Sequence, residues 1–173
     1  TAEELLDEVK KRVLKIMKSS RRLSGANKKE VAEAIAIGAV KYSLLKGSLG
    51  QDITFDFKKS LNLRGDSAPY LQYTYARLRS VLRKAHGLPK KPDFLLLETE
   101  TEKAVMRQLI YFQDVLARAA TLYETNIITD YLFKLANTLN TLYESEPILK
   151  APKSLRENRL NLILAATIVS KNG

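Results

Sequence analysis

Tyrosines and cations alternate along one short stretch of the chain, PYLQYTYARLRSVLRK, which covers residues 69–84. An aromatic ring offers a flat face on which a nucleic-acid base can stack, and a neighbouring lysine or arginine can bind a phosphate. These residue types therefore suit the binding of unpaired nucleic acid, provided that they lie on a side of the helix that does not pack against the protein.

The spacing within residues 69–84 predicts a helix with two distinct faces, because a helix advances about 100° per residue. With Leu71 set at zero, one face is predicted to pack, and its other members are Tyr75, Leu78, Leu82 and Ala85. The opposite side, from about 200° to about 260°, carries Tyr73, Lys84, Arg77 and Tyr70. We take these four as candidate binding residues. The alternative is that another helix or the preceding loop covers the two tyrosines.

The net charge of the chain favours a polyanionic partner. Lysine and arginine total 29 against 19 acidic residues, which leaves +10 with the histidine neutral. A surface with this charge attracts nucleic acid at long range, although the same charge could serve only solubility. A membrane partner is disfavoured, because no segment joins a lysine-rich face to one rich in tryptophan or phenylalanine.

The chain offers few residues for catalysis or metal binding. It contains no cysteine, which excludes disulfides and thiolate metal sites and makes a cytoplasmic protein the expectation. The single histidine, His86, precedes Gly87 and is interpreted as a helix-end residue. Glu98, Glu100 and Glu102 lie at the start of a predicted helix, whose positive end favours carboxylates. We predict no catalytic residue, no metal site and no cofactor within this chain.

Apolar periodicity predicts an all-α fold, a bundle of about six helices in a single domain over residues 1–173. The first helix is expected to end at about residue 18 and the second to begin at residue 27, buried on most sides. A short extended segment is predicted over residues 52–57. Later helices are expected over about 69–86, 100–123 and 127–143, and from 154 nearly to the end.

The run GDSAPYLQYTYARLRSVLRKA, residues 65–85, closely resembles the Gly-(Asn/Asp)-x-x-Pro-Tyr-Leu-Gln-Tyr segment of arginyl-tRNA synthetases. The resemblance extends upstream through AIAIGAVKYSLL and ITFDFKKSLNL and downstream through NIITDYLFKLANTLNTLYES. It implies a C-terminal helical domain that binds the anticodon stem and loop of arginine tRNA and supports arginylation by the full-length enzyme. The implied partners are this tRNA and the catalytic domain of the same enzyme, and we expect a monomer.

The resemblance also implies a role for the loop that precedes the third predicted helix. The turn before Pro69 matches the family's Ω-shaped loop, which packs against the anticodon. Gly65, Asp66 and Ser67 belong to this loop and are therefore candidate tRNA-binding residues. Tyr70 matches a family tyrosine as well, and bracing the loop is an alternative role for it.

Three further matches fall on the helices. Tyr73 and Arg77 match the tyrosine and arginine that contact the central anticodon bases in the family, and Tyr143 matches a later contact tyrosine. Lys84 is a candidate from the helical wheel alone. Pro147 occupies a position that is aromatic in some relatives, so we do not count it as a contact.

The sequence departs from the pattern of a whole synthetase. It contains neither a His-Ile-Gly-His-like nor a Lys-Met-Ser-Lys-like signature, so the catalytic domain that uses ATP, magnesium and arginine is expected outside these residues, as is the N-terminal tRNA-elbow domain. The family's C-terminal tail ending in Pro-x-x-Met is also missing. Without that tail, an exposed apolar patch is expected on the last helix, formed by Leu160, Ile163, Leu164 and Ile168.

A second class of function stays open from the residues alone. The tyrosine stripe of the third predicted helix could bind a protein, which would make the chain a non-catalytic helical adaptor. A general RNA-binding module with a basic, tyrosine-bearing helix face is the other alternative. RNA binding should weaken steeply with added salt, and a protein interface with little charge should hardly respond.

We predict that residues 1–173 alone do not activate arginine, because the adenylate-forming signatures are absent from them. ATP–pyrophosphate exchange, measured with arginine and tRNA present, should stay at background. A rate above background would show that catalytic residues do lie within this chain.

Overall fold

The computed structural model describes residues 1–18, 27–48, 50–85, 87 and 92–173. His86, predicted to end a helix, lies outside these residues. Within them the chain forms eight α-helices, one 3₁₀ turn and no strand, which confirms the all-α prediction. The helices are α1 (Ala2–Lys18), α2 (Asn27–Leu45), α3 (Phe57–Ser60), α4 (Ala68–Lys84), α5 (Glu100–Ile110), α6 (Phe112–Leu122), α7 (Asn126–Ser145) and α8 (Lys153–Asn172), and the 3₁₀ turn is Phe94–Leu96. In the part of the chain that is described, no helix is both long enough and apolar enough to cross a membrane.

The helices divide into two compact units, Thr1–Gln72 and Tyr73–Gly173, and the boundary falls within α4. Each unit has a hydrophobic core of its own. The single domain over residues 1–173 stays a prediction of the sequence.

The core of the first unit lies between α1 and α2. It is built from Val9, Val13 and Met17 of α1 and from Ala32, Ala36 and Ala39 of α2. The small side chains on α2 recur every three or four residues and so form a single stripe along the helix. The prediction that α2 is buried on most sides, which rests on residues 31–40, is wrong, since Ala34 and Ile37 within that stretch are exposed.

Residues 52–57 do not form the predicted extended segment throughout. The stretch 52–56 has no regular structure, and Phe57 begins α3, a helix of four residues that the sequence analysis does not predict. The side chain of Asp56 accepts hydrogen bonds from the backbone N–H groups of Lys58 and Lys59 at 2.8 and 3.1 Å. The bond from Lys59 lowers the pKa of the Asp56 carboxyl. This cap fixes the start of α3.

The core of the second unit is formed mainly by leucines of α7 and α8. Both α5 and α6 pack against α7, and α5 also packs against α8. Leu78 and Val81 bring α4 into the same core. The burial of Leu78 confirms its predicted position on the packed face of this helix.

The predicted helix over residues 100–123 is two helices in the structure, α5 and α6, which meet at Tyr111. The Tyr111 N–H still donates to the Arg107 carbonyl oxygen at 3.2 Å, and its own carbonyl oxygen accepts from the Val115 N–H at 3.0 Å. Helical hydrogen bonds therefore continue on both sides of the break at Tyr111. Because neither proline nor glycine lies at the break, the sequence carries no signal for it.

The apolar patch predicted on the last helix is mostly absent. Leu160 and Ile163 are buried in the core of the second unit, because they face the other helices of that unit. Leu164 is half-buried, and Ile168 is the member of the predicted patch that is exposed. The prediction was wrong about Leu160 and Ile163.

A buried cluster of charges joins three elements of the second unit. Arg159 of α8 donates from Nε to Glu102 Oε1 at 2.6 Å, from Nη2 to Glu146 Oε2 at 2.7 Å, and from Nη1 to the carbonyl oxygen of Pro147 at 2.9 Å. Glu102 also completes a capping box at the start of α5, where its carboxylate accepts from the Thr99 N–H at 2.9 Å. The cluster thus ties the start of α5 and the end of α7 to α8.

The Glu102 carboxylate stays charged although it is buried. Burial by itself would raise its pKa, because the charged form loses hydration. The hydrogen bond from the Thr99 backbone and the pairing with Arg159 outweigh that effect, so the pKa of Glu102 is lowered. Its place in the first turn of α5 confirms the prediction that Glu100 and Glu102 lie at the positive end of a helix.

We predict that Glu102→Gln destabilises the fold and changes its pH dependence. The native pKa is lowered, so the carboxylate's contribution is present above the unfolded pKa of about 4.3 and is lost as the pH falls through the native pKa. At neutral pH the variant should lose about 3 kcal/mol of unfolding free energy, because Arg159 is left short of one charged partner. Urea unfolding at several pH values measures both effects.

Glu100→Gln, on the same turn but exposed, is the control and should change the unfolding free energy by less than about 1 kcal/mol. If Glu102→Gln and the wild-type chain lost stability in parallel below about pH 4.5, the ionised Glu102 would not be what stabilises this cluster.

Candidate functional site

A cleft of about 480 Å³ in the second unit collects four of the predicted site residues. α4 contributes Tyr73, Arg77 and Lys84, and α7 contributes Tyr143. Residues 146–150, which connect α7 to α8, complete much of the lining. Arg159 holds this connection through Glu146 and Pro147, as described above, so the buried charge cluster also positions one side of the cleft.

Arg77 lies against both tyrosine rings of the cleft. Its Cζ atom is 4.8 Å from the ring centroid of Tyr73 and 4.6 Å from that of Tyr143. Its Nη2 group also donates a hydrogen bond to the Tyr73 hydroxyl at 2.7 Å. The rings keep a large exposed area, 47% for Tyr73 and 40% for Tyr143. A ring has two faces, so a guanidinium over one face does not by itself cover the other.

Three polar residues around Arg77 were not predicted from the sequence. Its Nη1 group donates to Asn140 Oδ1 at 2.8 Å, and the Asn140 Nδ2 group donates in turn to Thr74 Oγ1 at 2.8 Å. The carboxylate of Glu144, which is exposed, lies 3.7 Å from Arg77 Nη1. Asn140 and Glu144 flank Tyr143 on α7, at minus three and plus one. Their spacing to Tyr143, a predicted contact residue, is the signal that could have identified them.

The helical wheel is confirmed for two of its candidates and wrong about a third. Tyr73 and Lys84 are exposed, as predicted. The wheel placed Arg77 on the unpacked side, but its side chain is only 21% exposed. It is covered because it contacts Asn140 and Tyr143 of α7. The packed face of α4 within the second unit is marked by Thr74, together with Leu78 and Val81 of the core.

The cleft presents mainly positive charge to solvent. Lys84 and Lys150 line it and are exposed, and Arg77 lies between the rings. Glu146 also lines the cleft, but its carboxylate is paired with Arg159. Exposed ammonium groups next to accessible aromatic faces suit an anionic ligand that carries flat rings, which is the chemistry of single-stranded nucleic acid.

The other four predicted site residues lie in the first unit. The Asp66 carboxylate accepts from the Tyr42 hydroxyl at 2.6 Å and pairs with the Lys46 ammonium at 3.3 Å. Ser67 is buried, and its hydroxyl donates to the Asn62 carbonyl oxygen. The Oγ atom of Ser67 also accepts a hydrogen bond from the Tyr70 N–H at 3.3 Å. These side chains therefore hold the loop and the start of α4.

Gly65 and Tyr70 complete this group. A Cβ atom at Gly65 would lie 3.3 Å from Asn62 Nδ2, so the loop passes closely over that side chain. Tyr70 is half-buried, in keeping with the role of a brace as well as with that of a contact. The Ω-like shape of the loop and its contact with a ligand stay predictions.

Comparison with known proteins gives consistent matches over the whole chain. A family model described as the DALR anticodon binding domain matches residues 71–173. The chain is 40% identical to the arginine–tRNA ligase of Thermococcus kodakarensis, over 100% of this chain and 28% of that protein. It is 33% identical to the arginine–tRNA ligase of Archaeoglobus fulgidus, over 100% of this chain and 32% of that protein.

A solved structure of Thermus thermophilus arginyl-tRNA synthetase is similar with a TM-score of 0.90 and 31% sequence identity. The similarity covers 98% of this chain and 30% of that chain. The chain therefore spans about a third or less of the length of the relatives that it matches.

Proposed function

Since the chain belongs to the DALR anticodon binding domain family, we propose that it binds the anticodon stem and loop of arginine-accepting tRNA. The observation that carries this proposal is the cleft of the second unit, where the exposed rings of Tyr73 and Tyr143 lie beside one guanidinium and two lysines. The similarity to arginine–tRNA ligases supports arginine tRNA as the substrate.

The proposed binding mode uses the two faces of each ring differently. Arg77 occupies one face of Tyr73 and one face of Tyr143, and an unpaired anticodon base stacks on a face that remains. Stacking of this kind contributes about 1–3 kcal/mol per base. Lys84 and Lys150 bind the phosphates of the loop, because their ammonium groups are exposed at the same cleft.

Within a longer protein, the chain would support arginylation without taking part in the chemistry. The catalytic domain of the same enzyme would be its second partner and would use ATP, magnesium and arginine. The protein would act as a monomer in the cytoplasm. The loop with Gly65, Asp66, Ser67 and Tyr70 would contribute to the tRNA-binding surface, with its shape held by the hydrogen bonds of Asp66 and Ser67.

We predict that Tyr73→Ala weakens binding to an arginine anticodon stem-loop by about 1–3 kcal/mol, because a stacking face is lost. For this variant, the slope of the logarithm of the binding constant against the logarithm of the salt concentration should stay nearly unchanged, since no phosphate contact is removed. Lys84→Gln should instead reduce the salt slope by about 0.7, the contribution of one phosphate on a single strand. Arg77→Ala should weaken binding as well, because both rings lose their common support. Fluorescence anisotropy at several salt concentrations measures these changes.

The chain offers matched controls outside the cleft. Tyr123 is an exposed tyrosine and Lys134 an exposed lysine, and neither lines the cleft. Tyr123→Ala and Lys134→Gln should leave RNA affinity within about twofold, which separates a local contact from a general effect of charge or aromatic content. Binding that is insensitive to salt, or lost equally in Tyr123→Ala and Tyr73→Ala, would count against the proposed mode.

A further inference from the structure

We propose that Thr74 and Asn140 are positioning residues for the cleft: with Arg77 they form a hydrogen-bonded relay that sets the two tyrosine rings before a ligand arrives. The inference rests on the proposed function of the cleft. It concerns residues that need not touch RNA, and the relay itself is a property of the free protein.

The relay fixes the orientation of the Asn140 amide. Nδ2 donates to Thr74 Oγ1 and Oδ1 accepts from Arg77 Nη1, both at 2.8 Å. A rotated amide would turn its NH₂ group toward the guanidinium, which has donors only, and would lose the bond to Arg77. Arg77 therefore selects the orientation of the amide, and the Thr74 hydroxyl holds its other end in place.

Arg77 transmits this orientation to the rings. Its guanidinium is planar, so the bond from Nη1 to Asn140 and the bond from Nη2 to the Tyr73 hydroxyl together define its plane. The same group contacts the ring of Tyr143. Rings that are already ordered lose less conformational freedom when a base stacks on them, so binding is tighter.

Glu144 is a second possible partner for the Arg77 guanidinium, so the bond to Asn140 is needed to hold that group at the rings. Its exposed carboxylate lies 3.7 Å from Arg77 Nη1 and competes with Asn140 for the guanidinium. If Asn140 no longer accepted from Arg77, an ion pair with Glu144 would be the remaining strong interaction on that side of the group. The guanidinium would then be drawn toward solvent and away from the rings.

Thr74 allows a clean test, because its side chain is buried and only 3% exposed, so it does not meet a ligand in the cleft. Thr74→Val keeps the shape of the side chain and removes the hydroxyl, whereas Thr74→Ser keeps the hydroxyl. Thr74→Val should weaken binding to the arginine anticodon stem-loop by about three- to tenfold, the value of one hydrogen bond. Thr74→Ser should stay within about twofold of wild type.

A double-mutant cycle separates positioning from a general loss of structure. In an Arg77→Ala background the guanidinium that Thr74 and Asn140 position is absent. Adding Thr74→Val should then change RNA affinity by less than about twofold. An unchanged affinity of the single variant, or the same loss with and without Arg77, would overturn the proposal. If Thr74→Val does not fold, Asn140→Ala takes its place in the same cycle with the same criteria.

An RNA-independent measurement keeps the relay and the proposed function apart. In nuclear magnetic resonance spectra of the free chain, the guanidinium protons of Arg77 should exchange with water more slowly in wild type and Thr74→Ser than in Thr74→Val. Equal exchange rates in all three would overturn the relay even if the chain binds RNA. If the wild-type chain does not bind the stem-loop, the proposed function fails, and the exchange rates alone decide on the relay.

Discussion

The candidate site depends on one buried arginine. Arg159 pairs with Glu102 and Glu146 and also donates to the Pro147 carbonyl oxygen, so three donor groups of one side chain hold α5, the end of α7 and the α7–α8 connection. A buried guanidinium is stable only when such partners are in place, because the cost of removing it from water is large. Tyr143 lies three residues before Glu146, so the cluster also fixes where this ring meets the cleft.

The cleft is assembled from two helices whose register must be maintained. α4 supplies Tyr73 and Arg77, and α7 supplies Asn140 and Tyr143. The shared core of the second unit keeps these helices together, while the bonds of Arg77 to both of them determine how the polar groups meet. Packing and polar contacts thus have separate tasks: the core sets the distance between the helices, and the polar contacts set the orientation of the rings.

Much of the fold and part of the site could be predicted from the sequence. Residues 65–85 were sufficient to predict the family, and the match to the DALR anticodon binding domain confirms this prediction. The partial burial of Arg77 could not be predicted from the sequence, because it depends on Asn140, which lies 63 positions away in the chain. Arg159 had a signal that was missed: a charge among the apolar residues of α8 requires a buried partner. The break at Tyr111 had none, since neither proline nor glycine lies there.

Binding of RNA in the cleft can be measured by a nuclear magnetic resonance titration of the chain with an arginine anticodon stem-loop. We expect the ring signals of Tyr73 and Tyr143 and the side-chain signals of Arg77 to shift together as RNA is added. Exposed tyrosines outside the cleft, Tyr111 and Tyr123, should remain unchanged. Shifts confined to Tyr111 or Tyr123, with none in the cleft, would show that the cleft is not where RNA binds.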